Sequence, residues 1–588
     1  MQTYVESHPC AQNARRGGTP RYLYVDFAFS CKLAAMRLPR LLCAAFLLLS
    51  IPAAFGSAYN AHPKLVVVIV IDQFRGDYLE RYREQFGDGG FRLFLDHGAY
   101  FSECNYDYAN TRTAPGHATL FTGSYTSGHG IVANEWWDPQ KKKRVTSVED
   151  DTTQLVGSSK GPGASPHNLM SDTLGDELKL ATGGKARVFA ISLKDRASVL
   201  PAGFGGDGAY WIDRKSGDWT TSTYYRPQLP DWVGNFNGSH RAKKYWNREW
   251  KDSDGTTLGS TAPRNGKDGS PAGFYEVIGA TPYANDYQME FAKELVLYEK
   301  LGAGAATDLL VISLSANDIL GHEVGPDSPQ MHSMALELDR SLAEFFTFLG
   351  HQLGMANVWM ALSADHGVAP LPEFAKTLHL PAANVDAKGM RDQINSLLSK
   401  KYAKKADYLL DLDYPLAWLN EDAFAGRKEG EAETDAGEAM KVAGLPGYFT
   451  KSQLARGETP ATELGRRYAH SYSPEGGWYV MGVPRLFQVG GTKGTDHATP
   501  FSYDTHVPLA FYGLVFQPGV YRTHAEPVDL AVTLASLLGI NAPASATGRV
   551  LTEALQLAHR PNNALSPSSS QPSQPGPQPL TPPGGGMR

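Results

Sequence analysis

Three aspartates stand at or just beyond the ends of apolar runs, and histidines accompany two of them. Asp72 closes Lys64-Leu-Val-Val-Val-Ile-Val-Ile, Asp318 and His322 come after Asp308-Leu-Leu-Val-Ile-Ser-Leu, and Asp365 and His366 come after Val358-Trp-Met-Ala-Leu-Ser-Ala. Carboxylate and imidazole together suit zinc or another first-row divalent ion. Taken singly, an Asp after a strand fits a turn or a helix cap. Three in equivalent places point instead to a dinuclear metal centre gathered from distant parts of the chain. A further segment, Thr111-Arg-Thr113-Ala-Pro-Gly-His117, adds an alcohol. Thr just ahead of Pro at a helix start reads as a cap. The same place offers free backbone N–H groups and a positive dipole end, where an anion is favoured. A threonine hydroxyl is a poor nucleophile until its proton is drawn off, which a divalent ion can do.

The apolar runs dictate where these residues lie. Their length and β-branched content predict strands buried on both faces of a parallel sheet. Open α/β sheets bind ligands beyond the carboxyl ends of their strands, so the acids and imidazoles are expected on one edge. Strands are predicted at 64–72, 187–193, 308–315 and 505–513, and helices at 77–86, 170–181, 286–300, 331–352 and 527–538. Strand and helix alternate, so the expected class is α/β: a mainly parallel central sheet flanked by helices. Two stretches break the alternation and read as inserted cap regions, about 200–285 and 385–470, the first rich in Trp, Tyr, Gly and Asn. The pattern Asp252-Ser-Asp254-Gly255 lacks the Glu that a calcium loop needs at its twelfth position.

The 588 residues suffice for a large core with insertions, and a net charge of −6 gives no support to nucleic-acid binding. Met36-Arg-Leu-Pro-Arg40, then apolar Leu41 to Phe55, then Gly56-Ser57-Ala58 have the basic, apolar, small order of a secretory signal peptide. The apolar part is shorter than the roughly 20 residues of a membrane span. The expectation is an N-terminal extension and signal peptide over 1–58, with Met36 the initiator, and a periplasmic or secreted product. A catalytic body over 62–560 comes next, then a disordered Pro/Ser/Gln/Gly tail at 561–588. Only Cys104 of the four cysteines lies beyond the signal, so no internal disulfide framework is expected.

The chain resembles the alkaline phosphatase superfamily, in its type I phosphodiesterase/nucleotide pyrophosphatase branch, and most of all the phosphate-irrepressible bacterial enzymes of the PafA type. The resemblance rests on Val-Ile-Asp72-Gln, Thr113-Ala-Pro-Gly-His, Ser-Gly-His129-Gly-Ile-Val-Ala-Asn134, Ser-Leu-Lys194-Asp-Arg196-Ala, Asp318-x-x-Gly-His322, Ala-Asp365-His366-Gly and Gly-Thr-Asp-His497. These segments lie between about 64 and 540, and none departs from the expected pattern. The resemblance implies two zinc ions, one held by Asp318, His322 and His497, the other by Asp72, Asp365, His366 and the Thr113 oxygen. It implies Thr113 as nucleophile and Asn134, Lys194 and Arg196 as partners of the phosphoryl oxygens. Two extra cations suit a dianionic monoester, so the expected activity is hydrolysis of small phosphate monoesters. The alternatives are a phosphodiesterase or nucleotide pyrophosphatase on the same metals, or an exported binding protein with a vestigial site. A sulfatase is disfavoured, because its nucleophile derives from Cys or Ser.

Overall fold

Leu65–Ile71 forms strand β1, and all seven side chains are fully buried. Successive strand residues point to opposite faces, so both faces of the sheet are covered there, as the uninterrupted apolar run predicts. The structure, a computed structural model, describes residues 62–556 apart from 139, 158–159 and 267–268. The expected signal peptide and C-terminal tail lie outside the described residues.

The central sheet has eleven strands. They are β1, β2 (Ala99–Phe101), β3 (Glu149–Val156), β4 (Pro162–Ala164), β5 (Val188–Ser192), β6 (Gly208–Ile212), β7 (Trp219–Ser222), β8 (Asp308–Leu314), β9 (Val358–Ser363), β10 (Leu509–Tyr512) and β11 (Gly519–Tyr521). Their order is β11-β2-β10-β9-β1-β8-β5-β6-β7-β3-β4. The central run β9-β1-β8-β5-β6 is parallel, and strands join it antiparallel on either side. Register decides where the chemistry emerges. Val70 lies opposite both Ser313 and Ser363, and Ser313 opposite Ser192. Four parallel strands therefore end level, and the segments beyond their carboxyl ends open onto one edge.

Six helices matter here: α1 (Thr113–Thr122), α2 (Arg196–Ala202), α3 (Pro282–Tyr298), α4 (Ala316–Val324), α5 (Pro329–Leu353) and α6 (Asp529–Leu538). Helix α1 packs on α2 and α6, whereas α3, α4 and α5 pack on one another. The expected strand 505–513 is shorter than its apolar pattern. Ser502–Thr505 is helical and the strand begins at Leu509, just past Pro508, which has no N–H for a ladder. The expected helix 77–86 is likewise broken, into Tyr78–Arg81 and a 3-10 turn at Arg83–Gln85.

The stretch 200–285 joins the sheet itself through β6 and β7. Its aromatic residues are largely core: Trp219 stacks on Phe291 of α3 at 3.8 Å, with Tyr210, Trp232 and Phe236 around the same ring. The second stretch builds a separate four-stranded sheet, ordered Leu409–Asp413, Leu416–Leu419, Tyr479–Val483, Gly447–Thr450, so it runs on past 470. Helices Ala387–Lys401 and Glu429–Val442 pack on it around a hydrophobic cluster of their own.

Candidate active site

The level strand ends deliver two clusters of metal-ligating atoms. Asp318, His322 and His497 form one, and Asp72, Asp365 and His366 the other. In the first, His322 Nε2 lies 3.1 Å and His497 Nε2 3.7 Å from Asp318 Oδ1. In the second, His366 Nε2 lies 3.5 Å from Asp72 Oδ1 and 3.7 Å from Asp365 Oδ2. Tetrahedral ligands at zinc distances stand roughly 3.3 Å apart, so both sets are spaced to share an ion. The tautomers agree. Nδ1 of His322, His366 and His497 meets the carbonyl oxygens of Thr495, Gly367 and Thr111 at 2.9, 2.9 and 2.6 Å. A carbonyl only accepts, so each Nδ1 carries the proton and each Nε2 presents its lone pair when neutral. In the second cluster Asp72 Oδ1 and His366 Nε2 are buried with no hydrogen-bond partner, and Asp365 Oδ2 has only the His117 ring at 3.2 Å. Orphaned buried acceptors of this kind are rare and costly, and a divalent cation satisfies all three.

The electrostatics point the same way. Burial, and then the charges of Asp318 and Asp365, push the Asp72 carboxyl well above its ordinary range. Three crowded carboxylates call for positive charge that Lys194 supplies only in part. Burial keeps His366 and His497 below the usual imidazole pKa and hence neutral, the form a metal needs. Burial also works against a charge on His322, but Asp318 outweighs it and raises this imidazole to about 10. A proton and a metal ion therefore compete for His322 Nε2.

Thr113 enters through helix packing. It is the first residue of α1, with Arg112 at the cap position and no side-chain cap bond there, so the capping role expected of Thr113 is not the one it takes. The first turn of α1 lies directly on Asp365: a Cβ at Gly116 would fall 2.2 Å from the Asp365 carbonyl oxygen. His117 holds the turn, its Nδ1 2.8 Å from the Thr113 carbonyl and its Nε2 2.8 Å from Ser313 Oγ. Asn134 Oδ1 accepts the Ala114 N–H at 2.8 Å, which leaves its amide N–H groups as donors beside Thr113. His129 accepts the Ile131 N–H through Nδ1 and so shapes the approach to Asn134.

Lys194 lies just past β5, and its Nζ stands 2.6 Å from both Asp72 Oδ2 and Asp318 Oδ2. It links the two clusters, and its charge is shared with those carboxylates. Arg196 opens α2 behind the Asp195 cap, and its Nε is buried without a partner. Burial opposes its charge, and Asp195, Tyr275, Asp72 and Asp318 outweigh that and raise its pKa.

All the sequence-predicted metal ligands other than Thr113 thus fall into the two clusters, and Thr113, Asn134, Lys194 and Arg196 stand around them. Sequence reasoning missed three residues. Gln73 adopts φ +64° between the clusters, a left-handed conformation costing on the order of 1–2 kcal/mol. Arg112, beside Thr113, binds Asp413 of the second insertion. Tyr275, from the first insertion, feels the charges of Lys194 and Arg196 while its ring lies under Arg214 at 4.3 Å. Arg112 and Gln73 had the same slight signal, their places next to Thr113 and Asp72, and Tyr275 had none.

Known proteins resemble this chain in sequence and in fold. Residues 66–443 match the family model described as type I phosphodiesterase / nucleotide pyrophosphatase. Alkaline phosphatase PhoV of Synechococcus elongatus is 32% identical over 527 residues, 84% of this chain and 94% of the relative. Alkaline phosphatase PafA of Elizabethkingia meningoseptica is 32% identical over 524 residues, with the same two coverages of 84% and 94%. A crystal structure of wild-type PafA superposes with a TM-score of 0.74 at 30% identity, covering 84% of this chain and 99% of that one. The chain belongs to the type I phosphodiesterase/nucleotide pyrophosphatase family, among its alkaline phosphatases, and is a hydrolase with a metal-dependent site.

Proposed function

We propose that the chain is an exported, zinc-dependent alkaline phosphatase that hydrolyses phosphate monoesters through a phosphothreonine at Thr113. The observation that carries this reading is the pair of three-ligand clusters beside the first turn of α1, with Lys194 between them. Asp318, His322 and His497 would hold one zinc, and Asp72, Asp365, His366 and Thr113 the other. When bound, the two ions supply Lewis-acid charge against the attacking and leaving oxygens. Thr113 Oγ1 attacks phosphorus, the bond from phosphorus to the ester oxygen breaks, and the alcohol leaves with a proton. Water then cleaves the phosphothreonine, releasing phosphate and restoring the hydroxyl. The Asn134 amide donates to a phosphoryl oxygen, and Lys194 and Arg196 add cationic donors on that side. Their two charges favour a dianionic monoester over a monoanionic diester. Export rests on the basic, apolar, small order over 36–58.

The family description also names phosphodiesterases, so substrate charge is the point to test. The chain without its signal peptide, metal-stripped and then zinc-restored, should cleave a phenyl phosphate monoester in preference to the matching diester. A Lys194→Ala/Arg196→Ala double variant should lose monoesterase activity far more than diesterase activity. A zinc-dependent preference for the diester in the parent chain would overturn the substrate class while leaving the metal clusters standing.

A further inference from the structure

Between the clusters lies a residue that touches both. We propose that Gln73 is a positioning residue shared by the two metal sites, fixing Asp365 of one with its backbone N–H and Asp318 of the other with its side-chain amide. The inference rests on the two-metal reading above.

The geometry is specific. Asp72 ends the β1 run, and the chain then turns at Gln73 with φ +64°. Its N–H donates to Asp365 Oδ1 at 3.1 Å, and its Nε2 donates to Asp318 Oδ1 at 2.8 Å. The residue is fully buried. The turn is pinned by Asn317, whose Nδ2 donates to the carbonyls of both Asp72 and Gln73 at 2.9 and 3.1 Å. Asn317 adjoins Asp318 on α4, so a single clamp ties the end of β1 to the helix that carries Asp318 and His322. Room for the amide comes from Gly321: a Cβ there would stand 2.0 Å from Gln73 Oε1.

This arrangement orients both carboxylates. With Asp365 Oδ1 occupied by the Gln73 N–H, Oδ2 is the oxygen left facing the Asp72–His366 cluster, with the His117 ring 3.2 Å from it. At Asp318, Oδ2 goes to Lys194, while Oδ1 takes the Gln73 amide and faces His322 and His497. Hydrogen bonds to ligating carboxylates fix their rotation, and losing one typically weakens metal binding roughly 10–100-fold. Conformations as strained as that of Gln73 persist where the surroundings over-determine them, and they concentrate at functional sites.

The test is a stepwise zinc titration of metal-stripped full chain against a chromophoric chelator, alongside the thermal midpoint of the metal-stripped protein. Asp318→Asn identifies which step belongs to the Asp318 site. Gln73→Met keeps the backbone N–H and removes the amide, so it should weaken the Asp318 step at least about tenfold and leave the other step and the metal-free midpoint in place. Gly321→Ala, which crowds the amide without removing it, should weaken the same step. Unchanged affinities in both variants, or parallel loss of both steps with a fall in the metal-free midpoint, would overturn the positioning role. Wild-type protein that takes up no zinc would overturn the two-metal reading instead.

Discussion

Thr113 is 1% exposed at the start of α1, and the helix is held against Asp365 by Gly116 and His117. Removing that side chain leaves three carboxylate or imidazole ligands in each cluster, because the six Asp and His residues all lie outside α1. Thr113→Ala should therefore bind the same number of zinc ions as wild type while turnover falls at least about a thousandfold. Zinc content by elemental analysis and initial rates on a phenyl phosphate decide the matter. Near-normal turnover would remove Thr113 as the nucleophile. Residues of this kind were legible because their chemistry shows in the sequence. Asp72, Asp318 and Asp365 all sit where a buried apolar run has just ended, a place that sequence alone can read. The role of Gln73 was illegible for the opposite reason. It lies in a positive φ and in the space left by Gly321, and neither has a signature in residue type.

At the scale of elements, the second insertion grips the segment that carries the nucleophile. Arg112, next to Thr113, is buried, and its Nη1 lies 2.5 Å from Asp413 Oδ2. Its other nitrogens donate to Asn110 Oδ1 and to the carbonyls of Asp413 and Tyr414 at 2.8, 3.0 and 3.3 Å. Asp107, in the segment leading to Thr113, takes both the Arg466 fork at 2.6 and 3.0 Å and the imidazole of His470 at 3.2 Å. Lysine keeps the charge of Arg112 but has no planar fork to meet two partners at once. Arg112→Lys is expected to lower kcat about 10–100-fold through misplacement of the α1 start. Its stability cost is about 1–3 kcal/mol, discounted because Asp413 is partly exposed, and zinc content stays at the wild-type value. Intact kcat would show that the insertion does not position the nucleophile. Charged helices in 385–470 were visible in the sequence, but this grip joins residues 301 positions apart, which no local pattern records.

For the whole molecule, the long parallel strands that carry the site were the most legible part of the central sheet, because strands buried on both faces need long apolar runs. β6 and β7 were hidden by their polar and aromatic surroundings, where period and composition gave no clear strand signal. The separate hydrophobic cluster of the second insertion gives the protein a pH-sensitive feature away from the metals. Glu433 lies on the helix Glu429–Val442, fully buried. Oε2 accepts the Ser452 N–H at 2.9 Å, and Oε1 has no partner. Burial pushes its carboxyl up from 4.5 to about 7. An acid whose folded pKa is raised binds its proton more tightly in the folded state. Its contribution to stability is therefore fully present below the unfolded value near 4.5 and is lost as pH rises through about 7. Above that pH the protein carries a buried anion. Glu433→Gln keeps the oxygen that Ser452 needs and abolishes the titration. Its unfolding free energy relative to wild type should be flat below about pH 4.5, rise between there and about 7, and level off. The plateau should gain no more than roughly 3 kcal/mol. Denaturant unfolding of the metal-stripped proteins across this range measures it free of metal-linked protons, and parallel curves for the two proteins would show that Glu433 does not carry the alkaline cost.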